Sequence, residues 1–225
     1  MTRLHELWKL LKWVSDPSGL TDQTREALLP VLEEEFEARR ARQIRYLLQR
    51  SGIRRVKRLG DFDWAFNPKL PREKFMAFVN SRWREENANL VLIGPSGVGK
   101  SHLASGLCYQ AIREGISTAF VPCFDLVAKL KLARNKQTLI QYYSTVKVLC
   151  LDELGYVFPS QEEANDLFQI VSKRSELFPT LVTTNLVPSA WGKIFEAATA
   201  TAILDRLNLK GMFLTLEGRS YRSGK

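Results

Sequence analysis

The stretch Gly94-Pro95-Ser96-Gly97-Val98-Gly99-Lys100-Ser101 restricts this chain more than any other. It fits G-x-x-x-x-G-K-[ST] at every fixed position, and the apolar run Leu90-Val91-Leu92-Ile93 leads straight into it. Such a loop works only between a buried strand and a helix N-terminus, so pattern and context together predict strand, loop and helix in that order. The glycines let the backbone turn tightly and aim successive N–H groups at an anion. A helix expected over 102–114, opening at His102, adds its unpaired N–H groups and the positive end of its dipole. Lys100 would reach the β- and γ-phosphates of a nucleoside triphosphate, and the Ser101 hydroxyl would ligate Mg²⁺.

With 225 residues the chain has room for one α/β domain with an added arm, or for two small domains. A net charge of +9, from 33 basic and 24 acidic residues, favours polyanionic partners, either nucleic acid or an acidic membrane. No apolar run approaches the ~20 residues of a membrane span. The first eleven residues carry Arg3, His5, Glu6 and Lys9, which is no signal-peptide pattern. Cys108, Cys123 and Cys150 lack metal-ligand spacing. Their odd number points to reduced, packed thiols and a cytoplasmic location.

Apolar positions Leu4, Leu7, Trp8, Leu11 and Val14 follow a helical period, and Asp16-Pro17-Ser18-Gly19 breaks it. Thr21 or Asp22 would cap a second helix reaching about Gln49, with Pro30 either kinking it or dividing it in two. Its acidic run Glu33-Glu34-Glu35-Glu37 gives way to Arg39, Arg40, Arg42, Arg45, Arg50, Arg54, Arg55, Lys57 and Arg58, with no acid from 38 to 60. Nine basic residues in a row of this kind exceed what solubility requires and suit DNA phosphates, although a solvated face paired with the acidic run is the competing reading. Phe62 and Trp64 then open the approach to the core, either packing under a helix expected over 72–83 or lining an adenine pocket.

From residue 89 strands and helices alternate, which implies a parallel sheet covered on both faces. Strands are expected over 90–93, 118–121, 146–151, 180–184 and 212–216. The third delivers Asp152 and Glu153 to the carboxyl edge of the sheet, 52 residues after Lys100, where such sheets bind ligands. Asp152 would hold the Mg²⁺ shell, and Glu153 would polarise an attacking water. Asn185, closing the run Leu181-Val182-Thr183-Thr184, is either a polar contact to the γ-phosphate or a turn cap. Arg206 is either an arginine finger for a neighbouring subunit or half of a surface ion pair.

Taken together, GPSGVGKSHLA, VLCLDELGY, LVTTN, AILDRL and the terminal EGRSYR resemble the IstB-like ATPases that assist transposition of insertion sequences. These belong to the AAA+ class, in the clade of the DnaC helicase loaders and DnaA initiators. The resemblance implies a five-stranded parallel AAA+ P-loop domain over 59–225 and a basic helical DNA-binding arm over 1–58. It also implies an oligomer, ring or filament, that binds ATP and Mg²⁺, assembles on and deforms duplex DNA, and recruits a transposase. Arg206 maps to the finger position, Asn185 to the first sensor, Phe62 to the adenine contact, and Lys131, Arg134 and Lys136 to a region that touches DNA in this clade.

Only 40 residues follow Asn185, too few for a full helical lid, so Arg222 is a candidate stand-in for the lid arginine. The rival expectation is a helicase loader that prefers single-stranded DNA.

Overall fold

The computed structural model describes residues 3–156 and 159–222. Thr21 caps the long helix α2 (Asp22–Arg50), its hydroxyl accepting from the Thr24 N–H at 3.2 Å. Pro30 lies inside α2 without ending it. The bond it cannot donate, to the Glu26 carbonyl, falls on the exposed side. The preceding helix α1 (Arg3–Leu10) is shorter than its periodicity predicts. After it the chain folds back, and Trp13 meets Trp8 edge to face at 4.5 Å while the Trp8 indole donates to the Ser15 carbonyl. Leu4, Leu7, Trp8 and Leu11 close with Leu32 of α2 into a small separate core.

The remaining elements are α3 (Arg72–Asn80), β1 (Leu90–Ile93), α4 (Lys100–Arg113), β2 (Thr118–Pro122), α5 (Cys123–Leu132), α6 (Lys136–Thr145), β3 (Val148–Leu154), α7 (Gln161–Arg174), β4 (Thr180–Thr184), α8 (Ala197–Asn208) and β5 (Met212–Thr215). The sheet is wholly parallel in the order β2-β3-β4-β1-β5. Alternate residues of β1 serve opposite layers. Leu90 and Leu92 pack with α3 and α4, whereas Val91 and Ile93 pack with the layer that holds α5 to α8. The alternation of strands and helices predicts this covered parallel sheet, and the AAA+ P-loop form of the fold is the one the resemblance implies.

Two boundaries differ from expectation in ways that matter. α3 stops at Asn80, and Trp83 turns inward, fully buried and stacked on Phe78 with ring centroids 5.5 Å apart. β3 runs on to Leu154, with a register break against β4 between Leu151 and Leu154. Asp152 and Glu153 therefore sit in a bulge inside the strand rather than beyond its end. At the opposite end of the sheet, buried Arg174 donates to the carbonyls of Tyr143, Val146 and Pro179 and to the Thr180 hydroxyl. Burial pushes its guanidinium well below the usual arginine range, and these four bonds compensate that cost while tying the starts of β3 and β4 together.

The arm is docked rather than free. Gln43 of α2 donates to the Gly115 carbonyl, and the Phe120 N–H of edge strand β2 donates to the Ser51 carbonyl at 2.6 Å. The chain just past α2 thus occupies part of an edge that would otherwise present unpaired backbone groups.

Candidate nucleotide site

β1 ends where the loop of residues 94–99 begins, and α4 starts at Lys100, so the motif has the strand and helix it requires. Gly97 and Gly99 have φ values of 83° and 107°, a region L side chains rarely enter. Gly99 has a second constraint, because a Cβ there would lie 2.5 Å from the Phe62 ring. The loop borders a cavity of about 510 Å³, lined by Gly97, Gly99, Lys100, Ser101, Glu153 and the Phe62 ring among others. That volume is in the range of small-ligand sites.

Lys100 donates to the carbonyls of Gly94 (2.7 Å) and Pro95 (2.8 Å), spanning its own loop. Burial is the main influence lowering its pKa. Asp152 and Glu153 oppose that shift, and the charge of Arg222 adds to it. The site is therefore short of negative charge at the lysine, and an anion at the loop would supply it.

The Ser101 hydroxyl donates to Asp152 Oδ1 at 2.8 Å. The Thr183 hydroxyl donates to the same oxygen at 2.5 Å and accepts from the Glu153 N–H at 2.9 Å. One β4 hydroxyl therefore orients both acids of the β3 bulge. Glu153 has a φ of 60° and an exposed side chain facing the cavity mouth. A hydroxyl and one carboxylate at hydrogen-bond distance are hard oxygen donors that fit Mg²⁺, which takes few protein ligands and completes its shell with phosphate and water. Among the described residues no cluster of three or more His, Cys, Asp or Glu forms a closed metal cage.

Phe62 and Trp64, for which packing and base contact are competing expectations, are placed differently. Phe62 lines the cavity and packs against Trp64 (4.6 Å) and His102 (5.2 Å). Trp64 lies against Phe75 of α3, beneath the Arg72 guanidinium. His102 contacts the cavity and pairs through Nε2 with the Arg58 carbonyl. Pro95 is exposed at the loop's outer side, while Ser96 and Val98 complete it, Val98 being buried. Asn185 follows β4 directly, exposed, with its carboxamide beside Gly155 and outside the cavity lining. Arg206 lies on α8 with its guanidinium 5.5 Å from the Phe168 ring of α7, also outside the lining. Asn89 holds that helix end by donating to the carbonyls of Arg206, Leu207 and Leu209.

The basic residues separate into two groups. Arg39 pairs with Glu35 and donates to the Leu11 carbonyl, Arg40 lies 3.9 Å from Glu37, and Arg54 lies 3.7 Å from Asp125. Lys136 bridges Glu162 and Asp166. All four serve intramolecular contacts, and Arg39 and Arg40 do so with the acidic run, as the solvated-face reading predicts. Arg42, Arg45, Lys131 and Arg134 are exposed and make no ion pair among the described residues. Arg55 is exposed as well but borders the nucleotide cavity rather than the arm's outer surface.

Thr183 is the contributor that sequence reasoning passes over, whereas Arg222, a candidate from sequence, does border the cavity. Thr183 lies inside the run singled out for Asn185, and a hydroxyl on a fully buried strand position was the available signal.

Comparison with known proteins agrees with this geometry. Over residues 4–225 the chain matches the family model described as IstB-like ATP binding protein. It is 32% identical over 201 residues to a protein of Bacillus thuringiensis subsp. berliner named as the putative ATP-binding protein of insertion sequence IS232, covering 88% of this chain and 80% of that one. It is 35% identical over 202 residues to the corresponding IS21 protein of Pseudomonas aeruginosa, covering 88% and 76%. Among solved structures, the crystal structure of DnaI superposes with a TM-score of 0.61 at 22% identity, covering 73% of this chain and 89% of that one, a likeness of fold. With its phosphate loop, paired acids and parallel sheet in place, the chain belongs to the IstB-like ATP-binding family of insertion sequences.

Proposed function

We propose that this protein is an ATP-hydrolysing helper of transposition that oligomerises on duplex DNA and recruits or stimulates a transposase. The observation that carries the reading is the hydrogen-bonded Ser101–Asp152–Thr183 cluster, which meets the cavity at Ser101, next to Lys100 in the chain, in a protein of this family. In the proposed division residues 1–58 form a basic arm that contacts DNA, joined by Lys131 and Arg134, and residues 59–225 carry the phosphate loop and the paired acids.

Lys100 exchanges its two loop carbonyls for phosphate oxygens. Ser101 and Asp152, instead of bonding each other, turn their oxygens to the metal position. Held there by Ser101 and Asp152, Mg²⁺ would supply positive charge that offsets the charge developing on the transferred phosphoryl group. Glu153, held by the bulge, orients the attacking water and accepts its proton. Arg206 sits outside its own cavity, which supports a role at a neighbour's triphosphate, and Asn185 would face the γ-phosphate only once the neighbour closes the site. Arg42, Arg45, Lys131 and Arg134 bind DNA phosphates, which gives affinity without sequence information. The attraction of these cations for the duplex offsets the cost of bending it, about 1–6 kcal/mol for a 20–30 bp site.

The test measures ATPase rate and particle mass with Mg²⁺-ATP, comparing no DNA, a duplex of ~60 bp, long enough to exceed one bent site, and the matched single strand. Large particles and faster turnover on duplex alone are expected. Stimulation by single strand, with small particles on duplex, would transfer the protein to the helicase-loader reading.

A further inference from the structure

The last described residues return to the phosphate loop and are tied to it along their length. Leu216 N–H donates to the Ile93 carbonyl at 2.7 Å, directly before the loop, and Tyr221 N–H donates to the Gly97 carbonyl at 3.0 Å, within it. Ser220 lies so close over Gly97 that a Cβ at Gly97 would stand 2.0 Å from its hydroxyl oxygen. Between these two ties the tail is held by a third residue on a different segment. Asn67, only 7% exposed, donates from Nδ2 to the Arg219 carbonyl and accepts at Oδ1 from the Arg219 N–H, both at 2.9 Å. One carboxamide thus satisfies both backbone groups of one residue, as a neighbouring strand would.

The fit is close on the other side too. A Cβ on Gly218 would stand 2.5 Å from Asn67 Cγ, so the tail passes the carboxamide only with glycine at that position. Phe66 adds a surface for the same segment. Its ring meets Tyr221 edge to face at 4.8 Å, and the Arg219 guanidinium lies 5.3 Å from its centroid. Beyond these ties Tyr221 and Arg222 line the nucleotide cavity. The charge of Arg222 is felt at Lys100, the residue that reaches β- and γ-phosphates in loops of this kind.

We propose that Asn67 is a positioning residue for nucleotide binding, holding the segment Gly218–Arg222 as the outer wall of the cavity so that Arg222 meets the terminal phosphate. The proposal rests on the nucleotide-binding reading above and adds to it a requirement on a residue outside every motif of the chain. A buried carboxamide whose whole hydrogen-bonding capacity toward the tail is spent on one backbone unit fixes where that backbone runs. A three-residue extension from Arg219, itself tied at Tyr221, then leaves Arg222 little freedom to miss the cavity. Selectivity for ATP over ADP follows, because the second cation beside Lys100 is useful only when a γ-phosphate is present.

The experiment titrates fluorescent ATP and ADP analogues, with Mg²⁺, into the full chain and into Asn67→Ala, Arg222→Ala and the double variant. Asn67→Ala and Arg222→Ala should each lower affinity for the ATP analogue by about tenfold, the scale of one charge-assisted hydrogen bond, and leave ADP affinity within about twofold. The double variant should be no worse than Arg222→Ala, since residues acting through one interaction are not additive. An unchanged ATP-to-ADP ratio in Asn67→Ala, or losses that multiply in the double variant, overturns the positioning role. Should Asn67→Ala fold poorly, Gly218→Ala displaces the same backbone and must give the same loss of ATP selectivity. Failure of the unaltered chain to bind either analogue would instead overturn the nucleotide-site reading itself.

Discussion

The Thr183 hydroxyl donates to Asp152 Oδ1 at 2.5 Å across the β3–β4 pair, and the same oxygen atom of Thr183 accepts the Glu153 N–H. A single side chain thereby sets the carboxylate proposed for the metal and the backbone of the acid proposed for the water. Replacing it with the isosteric Thr183→Val keeps the packing and removes both bonds. Turnover should fall by about 10–100-fold and the Mg²⁺ requirement should rise, the usual scale for a residue orienting a metal ligand. Unchanged Mg²⁺ dependence would show that Asp152 is oriented by Ser101 alone.

Glu153→Gln and Arg206→Ala separate hydrolysis performed within one subunit from help given by the next. Glu153→Gln should bind ATP and assemble on duplex but turn over at least about 100-fold more slowly. Arg206→Ala should lose turnover by about 10³-fold or more, yet a mixture with Lys100→Ala, which lacks its own nucleotide contact, should regain activity, because each supplies what the other lacks. A mixture that stays inactive at every ratio, measured by steady-state phosphate release, would assign Arg206 to its own subunit.

The arm's charges predict unequal effects. Arg42→Ala with Arg45→Ala should reduce the slope of log affinity for duplex against log salt by about 2, near 0.9 for each phosphate no longer neutralised. Arg39→Ala should act differently, because Arg39 already bonds Glu35 and the Leu11 carbonyl. Its loss should lower the melting temperature of the arm by loosening α1 against α2, while the salt slope stays nearly the same. Equal slopes for the double variant and the unaltered protein would remove Arg42 and Arg45 from the DNA surface.

All three cysteines are buried and free. Burial is the main cause raising the thiols of Cys123 and Cys150 well above the ordinary range, and burial likewise pushes Tyr143 up to about 12. Groups whose folded pKa is raised keep protons that the unfolded chain releases, so stability is fully present at neutral pH and declines above the unfolded thiol value of about 8.5. Native protein at pH 8 should therefore react with a thiol reagent only as fast as it unfolds, and its denaturation midpoint should drop between about pH 9 and 11. Rapid labelling of one cysteine at pH 7 would contradict this burial.

Much of the site is local in sequence and was legible there. The phosphate loop, its strand and its helix are contiguous, and glycine spacing carries the geometry directly. The strand-helix alternation likewise gives the parallel sheet, because buried parallel strands have few alternatives to continuous apolar runs. The bulge at Asp152-Glu153 was not legible, since a positive φ at a glutamate depends on what β4 offers opposite, here the Thr183 hydroxyl. Asn67 was hidden for a related reason. Its partner is Arg219, 152 residues away, and no periodicity marks such a pairing. Within the nine basic residues, Arg39 and Arg40 pair with Glu35 and Glu37 one helical turn away, a pairing open to sequence, whereas Arg54 meets Asp125 and Arg55 borders the nucleotide cavity only because of the fold.

The long helix α2 has the shape of a lever arm. Its 29 residues span about 43 Å at 1.5 Å per residue, and its foot at Ser51 is bonded to the edge of β2. Four residues past that foot the chain becomes wall of the nucleotide cavity, at Arg55, Val56 and Lys57. A rigid rod of about that length, tilted by about 10° at its foot, carries its far end through about 7 Å, roughly two base-pair steps of duplex. A shift passed from that wall to the foot of α2 would be magnified toward α1, to the scale of the duplex in the proposed function.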